Sequence, residues 1–232
     1  MSNILKYYAS AYYAGDPLID DKTYDYLEDK YGRNSVGAKD GEIKHYKPMY
    51  SLDKVYVGEK LKLQEHKLVE TPKLDGLAIS LLYDQGILVR ALTRGDGIQG
   101  QDVTDKALVL MSIPPQINCT DDIVQITGEI VCPKDTENAR NFASGAMNLK
   151  DMTNFATRAD SLFFVAYSTS DNEATYSEDM RYLRSEGFDT VLSEGLEELY
   201  RTDGRVFRVD NNVDFEELGY TAKAPRGAFA LR

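Results

Sequence analysis

The sequence predicts an α+β protein: a small helical unit at the N-terminus, then a larger body of short strands with helices between them. Three observations predict it. Apolar and aromatic residues recur at helical spacing as far as Tyr31. From about residue 70 the apolar runs shorten to strand length and are separated by turn residues. The strands do not alternate regularly with helices, which argues against a doubly wound parallel sheet.

Residues 3–14 read as a helix with Leu5, Tyr8 and Tyr12 on one face, broken by Gly15-Asp16-Pro17. Asp20 caps a second helix running through Tyr31, and Gly32 ends it. Residues 32–44 are polar and read as loop. The helical unit is assigned residues 1–44 and the strand-rich body 45–232. In the body, LAISLLYDQGILVRALT reads as a hairpin turning at Asp84-Gln85-Gly86. Residues 93–104 form a glycine-rich loop, and 122–132 another strand. Residues 135–147 are loop or helix, 161–168 a buried strand, and 176–186 a helix. DGRVFRV and GAFALR read as strands.

The chain has 232 residues, enough to bury a core without disulfide staples. Its two cysteines cannot build a disulfide framework or a four-cysteine zinc site. The N-terminus lacks a signal-peptide pattern, and no apolar run is long enough to span a membrane. A reducing cytoplasm is therefore expected. The net charge of −11 falls almost wholly after residue 70, so the chain as a whole repels phosphate backbone. That argues against a free-standing DNA-binding module.

Three constellations carry chemistry. Lys73-Leu74-Asp75-Gly76 opens the strand LAISLLY, where a lysine amine serves as a nucleophile or as an ordinary surface charge. Thr93-Arg94-Gly95-Asp96-Gly97 returns on the paired strand, bringing Arg94 near Lys73. Its glycines either offer N–H groups to phosphate or form a plain turn. Gly128-Glu129-Ile130-Val131 sets one carboxylate in an apolar strand, pointing in toward a cation or hydroxyl, or out to solvent.

Taken together, TPKLDG, TRGDGIQGQDVT, GEIV, ENARNFASGAM, FFVAYS, DGRVFRV and AKAPRGAFALR resemble the NAD-dependent DNA ligases in order and spacing. YYAGDPLIDDKTYDYL and HYKPMYSLDKV resemble the same family, so the likeness covers nearly the whole chain. The resemblance implies a nucleotidyltransferase body of antiparallel sheets with flanking helices. It also implies a helical unit that binds the nicotinamide mononucleotide (NMN) half of NAD.

By resemblance, Lys73 attacks the α-phosphorus of NAD, releasing NMN and leaving lysyl-AMP as the first step of nick sealing in DNA repair and replication. Asp75, Arg208 and Arg232 complete the implied catalytic set; a cation close to Lys73 would favour its neutral, nucleophilic form. Ser51, Leu52 and Thr71 would line the adenine pocket and Tyr167 would stack on the base. Glu129 would hold the ribose hydroxyls or Mg²⁺, and Arg94 and Arg140 would face phosphate or ribose. Asp21, Tyr24 and Asp25 share one helical face, with Tyr12 and Tyr13 before them. Together these match the family's NMN clamp, whose aromatic rings and carboxylates suit a flat cationic nicotinamide. An aromatic core stripe is the other reading of the tyrosines.

The chain departs from the family's pattern in places. Thr71 stands where the family has glutamate, and Asn148 where it has arginine. Arg208 and Arg232 replace two lysines, keeping charge but not the capacity to pass on a proton. The family's further DNA-binding parts have no counterpart here. That implies a truncated ligase or the adenylation subunit of a split, phage-type ligase acting in a host cytoplasm. Nicked DNA would then be reached through a second subunit or the missing domains. The alternatives are a non-catalytic NAD-binding scaffold and an ATP-dependent nucleotidyltransferase.

Overall fold

The computed structural model describes residues 3–14, 16–32, 42–56, 63, 65–119 and 121–232. Most of the loop expected over 32–44 lies outside the described residues, as do the side chains of Tyr12 and Tyr13.

The chain begins with α1 (Asn3–Tyr13) and α2 (Asp21–Leu27), and α2 runs on into a π-helical turn, Glu28–Gly32. Asp20 caps α2 by accepting from the Thr23 amide, as its side chain predicts. The body follows in the order β1 (Ile43–Lys44), β2 (Asp53–Val55), β3 (Leu68–Leu74), β4 (Leu77–Asp84), β5 (Ile87–Thr93), β6 (Gln99–Gly100), α3 (Thr104–Ala107) and β7 (Ile123–Val131). Then come α4 (Ala139–Met147), α5 (Met152–Ala159), β8 (Phe163–Thr169), α6 (Tyr176–Ser185) and β9 (Asp189–Thr190). The chain closes with α7 (Leu196–Leu199), β10 (Thr202–Val209), α8 (Asn212–Leu218) and β11 (Ala228–Leu231). The expected α+β class is the observed one. Among the described residues no helix is long and apolar enough to cross a membrane.

A five-stranded sheet, in the order β5-β4-β7-β8-β9, is antiparallel except at its β9 edge. Its founding hairpin turns at Gln85 and Gly86, both at positive φ, the two-residue turn that matches strand twist. On β7 the apolar Val124, Ile126 and Ile130 enter the main core, while Gln125, Thr127 and Glu129 take the other face. That alternation gives the sheet one dry face and one polar face.

A four-stranded sheet, β2-β11-β10-β3, stands beside it. Here β3 is the strand that the sequence reading lacked. Lys73 does not open β4; it is the second-last residue of β3 in the other sheet. Leu68 and Phe207 turn to a small core around Val209, Phe215 and Phe229, whereas Val69 turns to the main core. By the two-residue repeat, Thr71 and Lys73 share the Val69 face and look toward the first sheet. Asp75-Gly76 is the crossing from one sheet to the other.

The helical unit completes its core with the hairpin. Ile4, Leu5, Tyr8 and Leu27 bury against Ile87 and Val89 of β5. Each such aliphatic side chain contributes about 1.5–3 kcal/mol on full burial, more than a unit this short gains alone. Asp84, fully buried at the end of β4, accepts from Lys30 Nζ at 2.5 Å, Tyr26 at 3.0 Å and Tyr31.

Candidate active site

The site is built where β3, β4, β7 and β10 meet. Gly76 makes the sheet crossing possible: a Cβ there would stand 2.1 Å from the Ile130 carbonyl oxygen. Its N–H donates to Glu129 Oε1 at 3.2 Å. The glycine of the Lys73 motif thus serves a close approach to β7. Gly128 serves the same end, since a Cβ would collide with Phe164 and the Val165 carbonyl.

Glu129 lies opposite Ala78 on β4 and Val165 on β8, on the polar face. It keeps some access to solvent but is ringed by protein, and burial pushes its carboxyl up to about 7. Lys73, the Gly76 amide, Arg140 and Arg94 oppose that rise. Tyr167 sits at a bulge in β8 between the pairs Thr127–Ser168 and Gly128–Ala166, which re-aims its ring. Burial, and after it the Glu129 charge, raises its hydroxyl, while Arg94 works the other way. Glu129 is therefore within electrostatic reach of Lys73, Arg94 and Tyr167. Arg140, exposed at the start of α4, lies 3.6 Å from the Asp75 carboxylate.

Asp203 is the residue that sequence reasoning missed. Its Oδ1 accepts from Lys73 Nζ at 2.6 Å, and its Oδ2 is held by Arg232. A carboxylate is therefore the direct partner of the amine. The pairing of β10 with β3 slips between Thr202 and Arg205, and Gly204 sits at φ +144 inside that slip. Such a bulge turns a side chain out of its ordinary direction. The Asp-Gly step opening DGRVFRV was the available signal.

Arg208 pairs across from Val69, four residues down β3 from Lys73, or roughly 13 Å at 3.3 Å per residue. Its guanidinium lies between the rings of Tyr176 at 4.3 Å and Phe215 at 3.9 Å, and donates to Val209 O and Asn212 Oδ1. This geometry gives it a packing role and no contact with the amine. The glycine-rich loop is a self-satisfied turn: the amides of Gly97, Ile98 and Gln99 bond to Arg94 O and Asp96 Oδ1. They are not presented to a phosphate. Thr71 is 3% exposed. Ser51 is exposed, its amide donating to Lys223 O, and Leu52 joins the small core of the second sheet.

The α2 residues stand apart. Asp21 and Asp25 are exposed, and Tyr24 packs in part into the helical core. Their unit is anchored at Asp84, six residues along β4 from Ala78, or about 20 Å.

No cluster of three or more carboxylate, histidine or cysteine side chains suited to a metal occurs among the described residues. Mg²⁺ is usually held by one or two carboxylates together with substrate phosphates. Glu129 fits as the single protein ligand of an ion arriving with a dinucleotide.

The family model described as the NAD-dependent DNA ligase adenylation domain matches residues 38–199. A DNA ligase of Campylobacter curvus is 30% identical over 295 aligned positions, covering 98% of this chain and 44% of that protein. A DNA ligase of Fusobacterium nucleatum is 33% identical over 296 positions, covering 98% and 42%. One of Christiangramia forsetii is 34% identical over 239 positions, covering 82% and 36%. The chain spans less than half the length of these relatives. With that match over most of the chain, a shared motif order and a lysine paired with a carboxylate where two sheets meet, the chain belongs to the NAD-dependent DNA ligase adenylation domain family.

Proposed function

We propose that this chain transfers AMP from NAD to Lys73, the first step of DNA nick sealing. The observation that carries this reading is the Lys73–Asp203–Arg232 chain of contacts, set beside Glu129. Lys73 attacks as the free amine, its ammonium proton already lost to solvent; as the Nζ–P bond forms, the nitrogen sheds a second proton, which Asp203 accepts across 2.6 Å, within general-base reach. The bond from the α-phosphorus to the bridging oxygen breaks, and its electron pair leaves with NMN. Arg232, released from Asp203, neutralises charge on the α-phosphate, a task that needs a fixed cation and no proton. Bound Mg²⁺ would lower the charge of the pyrophosphate, with Glu129 as its protein ligand.

Tyr167 is assigned to the base, and Arg94 and Arg140 to phosphate or ribose. Ser51 and Leu52 are assigned to the rim of the base pocket, with Thr71 behind it. The helical unit, residues 1–44 in this division, would bring Tyr12, Tyr13, Asp21, Tyr24 and Asp25 to the NMN half. Its last residues, Ile43 and Lys44, already pair with the body through β6. Sealing itself, on nicked DNA in the cytoplasm during repair or replication, would use DNA-binding parts beyond these residues or on a second subunit.

Incubating the protein with NAD or with ATP, each with Mg²⁺, and weighing it intact tests the reading. AMP addition and NMN release from NAD alone support it; AMP addition from ATP alone overturns it.

A further inference from the structure

Residues 45–49 lie across the polar face of the five-stranded sheet, next to the Glu129 site. His45 meets Ser80 of β4 through Nδ1 at 2.8 Å. Lys47 exchanges both of its backbone hydrogen bonds with the Gln125 amide of β7, each at 2.9 Å. The Met49 amide donates to Gly97 O at 2.8 Å. A Cβ on Gly97 would stand 2.7 Å from the Met49 oxygen, so that glycine admits this segment.

The other ring nitrogen of His45, Nε2, lies 3.1 Å from the carbonyl oxygen of Arg94. A carbonyl only accepts, so Nε2 carries the proton and Nδ1 accepts from the Ser80 hydroxyl. The Arg94 amide is fixed separately, donating to Ala78 O at 3.0 Å. Ala78 is the residue opposite Glu129. The backbone of Arg94 is thus held on both sides, by β4 at its amide and by His45 and Gly97 at its carbonyl. Its side chain is left exposed toward Glu129 and Tyr167.

We infer that His45 is a positioning residue for Arg94, holding that guanidinium where the phosphates or ribose of NAD bind. The inference rests on the proposed NAD site. His45 touches no substrate; it acts through the Arg94 carbonyl. Glutamine places an N–H where Nε2 stands, whereas asparagine reaches only the Nδ1 position.

NAD affinity of the full chain, by calorimetry, tests this. One net hydrogen bond is about 0.5–1.5 kcal/mol, or roughly 2- to 12-fold in affinity. His45→Ala should weaken NAD binding by that factor, His45→Gln should restore it to within about twofold, and His45→Asn should not. In an Arg94→Ala background, His45→Ala should cost nothing further. Equal behaviour of the glutamine and asparagine variants, or full additivity with Arg94→Ala, would overturn the inference. If His45→Ala does not fold, the glutamine–asparagine pair decides it. A wild-type chain that binds NAD but never gains AMP contradicts the proposed reaction, and the affinity series still decides the role of His45. A wild-type chain that does not bind NAD overturns both.

Discussion

Asp203 and Lys73 are 130 positions apart in sequence, yet a carboxylate oxygen of one lies 2.6 Å from the amine of the other. Antiparallel pairing of β3 with β10 brings the two strand ends together, and the bulge at Gly204 aims the carboxylate. Arg232, one residue past β11, reaches the same carboxylate because β11 pairs with β10 from Arg205 to Arg208. The chemistry assigned to this lysine therefore depends on three strands of one sheet.

Asp203→Asn keeps the shape and removes the proton acceptor. General bases typically contribute 10²–10⁴-fold, so single-turnover AMP transfer should slow by at least about 100-fold. Quench-flow with radiolabelled NAD measures it; a loss below about tenfold would remove Asp203 from that role.

Glu129 makes stability depend on pH. Its folded carboxyl is raised to about 7 from an ordinary 4.5, so the folded chain holds a proton that the unfolded chain has lost. Between those values the native state binds more protons, and the contribution of this group to stability falls as pH rises. Above about 7 the loss is complete. Glu129→Gln should therefore raise the melting temperature at pH 8 and leave it nearly unchanged at pH 4, while AMP transfer is lost. A pH-independent change in melting temperature would contradict this origin.

Asp84 ties the helical unit to the hairpin. Asp84→Ala leaves the Lys30, Tyr26 and Tyr31 donors without their acceptor and should weaken docking by about 1–3 kcal/mol. Hydrogen exchange at Leu5 and Leu27 should speed up, while Ile79 and Ile126 in the main core stay protected. Equal loss at all four would mean that Asp84 supports the whole body instead.

Asp25 is exposed on α2, so Asp25→Ala should stay within about 0.5 kcal/mol of wild type in stability. If it holds the NMN half, the KM for NAD in AMP transfer should rise about tenfold, the effect of roughly 1.4 kcal/mol of binding. An unchanged KM would remove Asp25 from the clamp.

Much of this was legible in the sequence because local rules were obeyed. Asp20 announced its cap, Asp84-Gln85-Gly86 its turn, and the apolar run of residues 122–132 its strand. The strand β3 was not legible. LVETPKL carries a proline and a glutamate, and its partners on β10, from Thr202 opposite Leu74 to Val209 opposite Leu68, lie far along the chain. Asp203 was hidden for the same reason, since only the long-range register makes its bulge a functional one. The packing of the Arg208 guanidinium between Tyr176 and Phe215 was not legible either, because both rings come from other elements of the fold. The glycines of the loop after β5 admit backbone, Gln99 against Gly95 and Met49 against Gly97, a close approach that only the folded chain reveals.

Peptide mapping of the NAD-treated protein by mass spectrometry, under conditions that preserve phosphoramidates, tests AMP transfer to Lys73 itself. One AMP group is expected, on Lys73, absent from a folded Lys73→Ala variant. A label on any other residue, or an equal label on that variant, would contradict it.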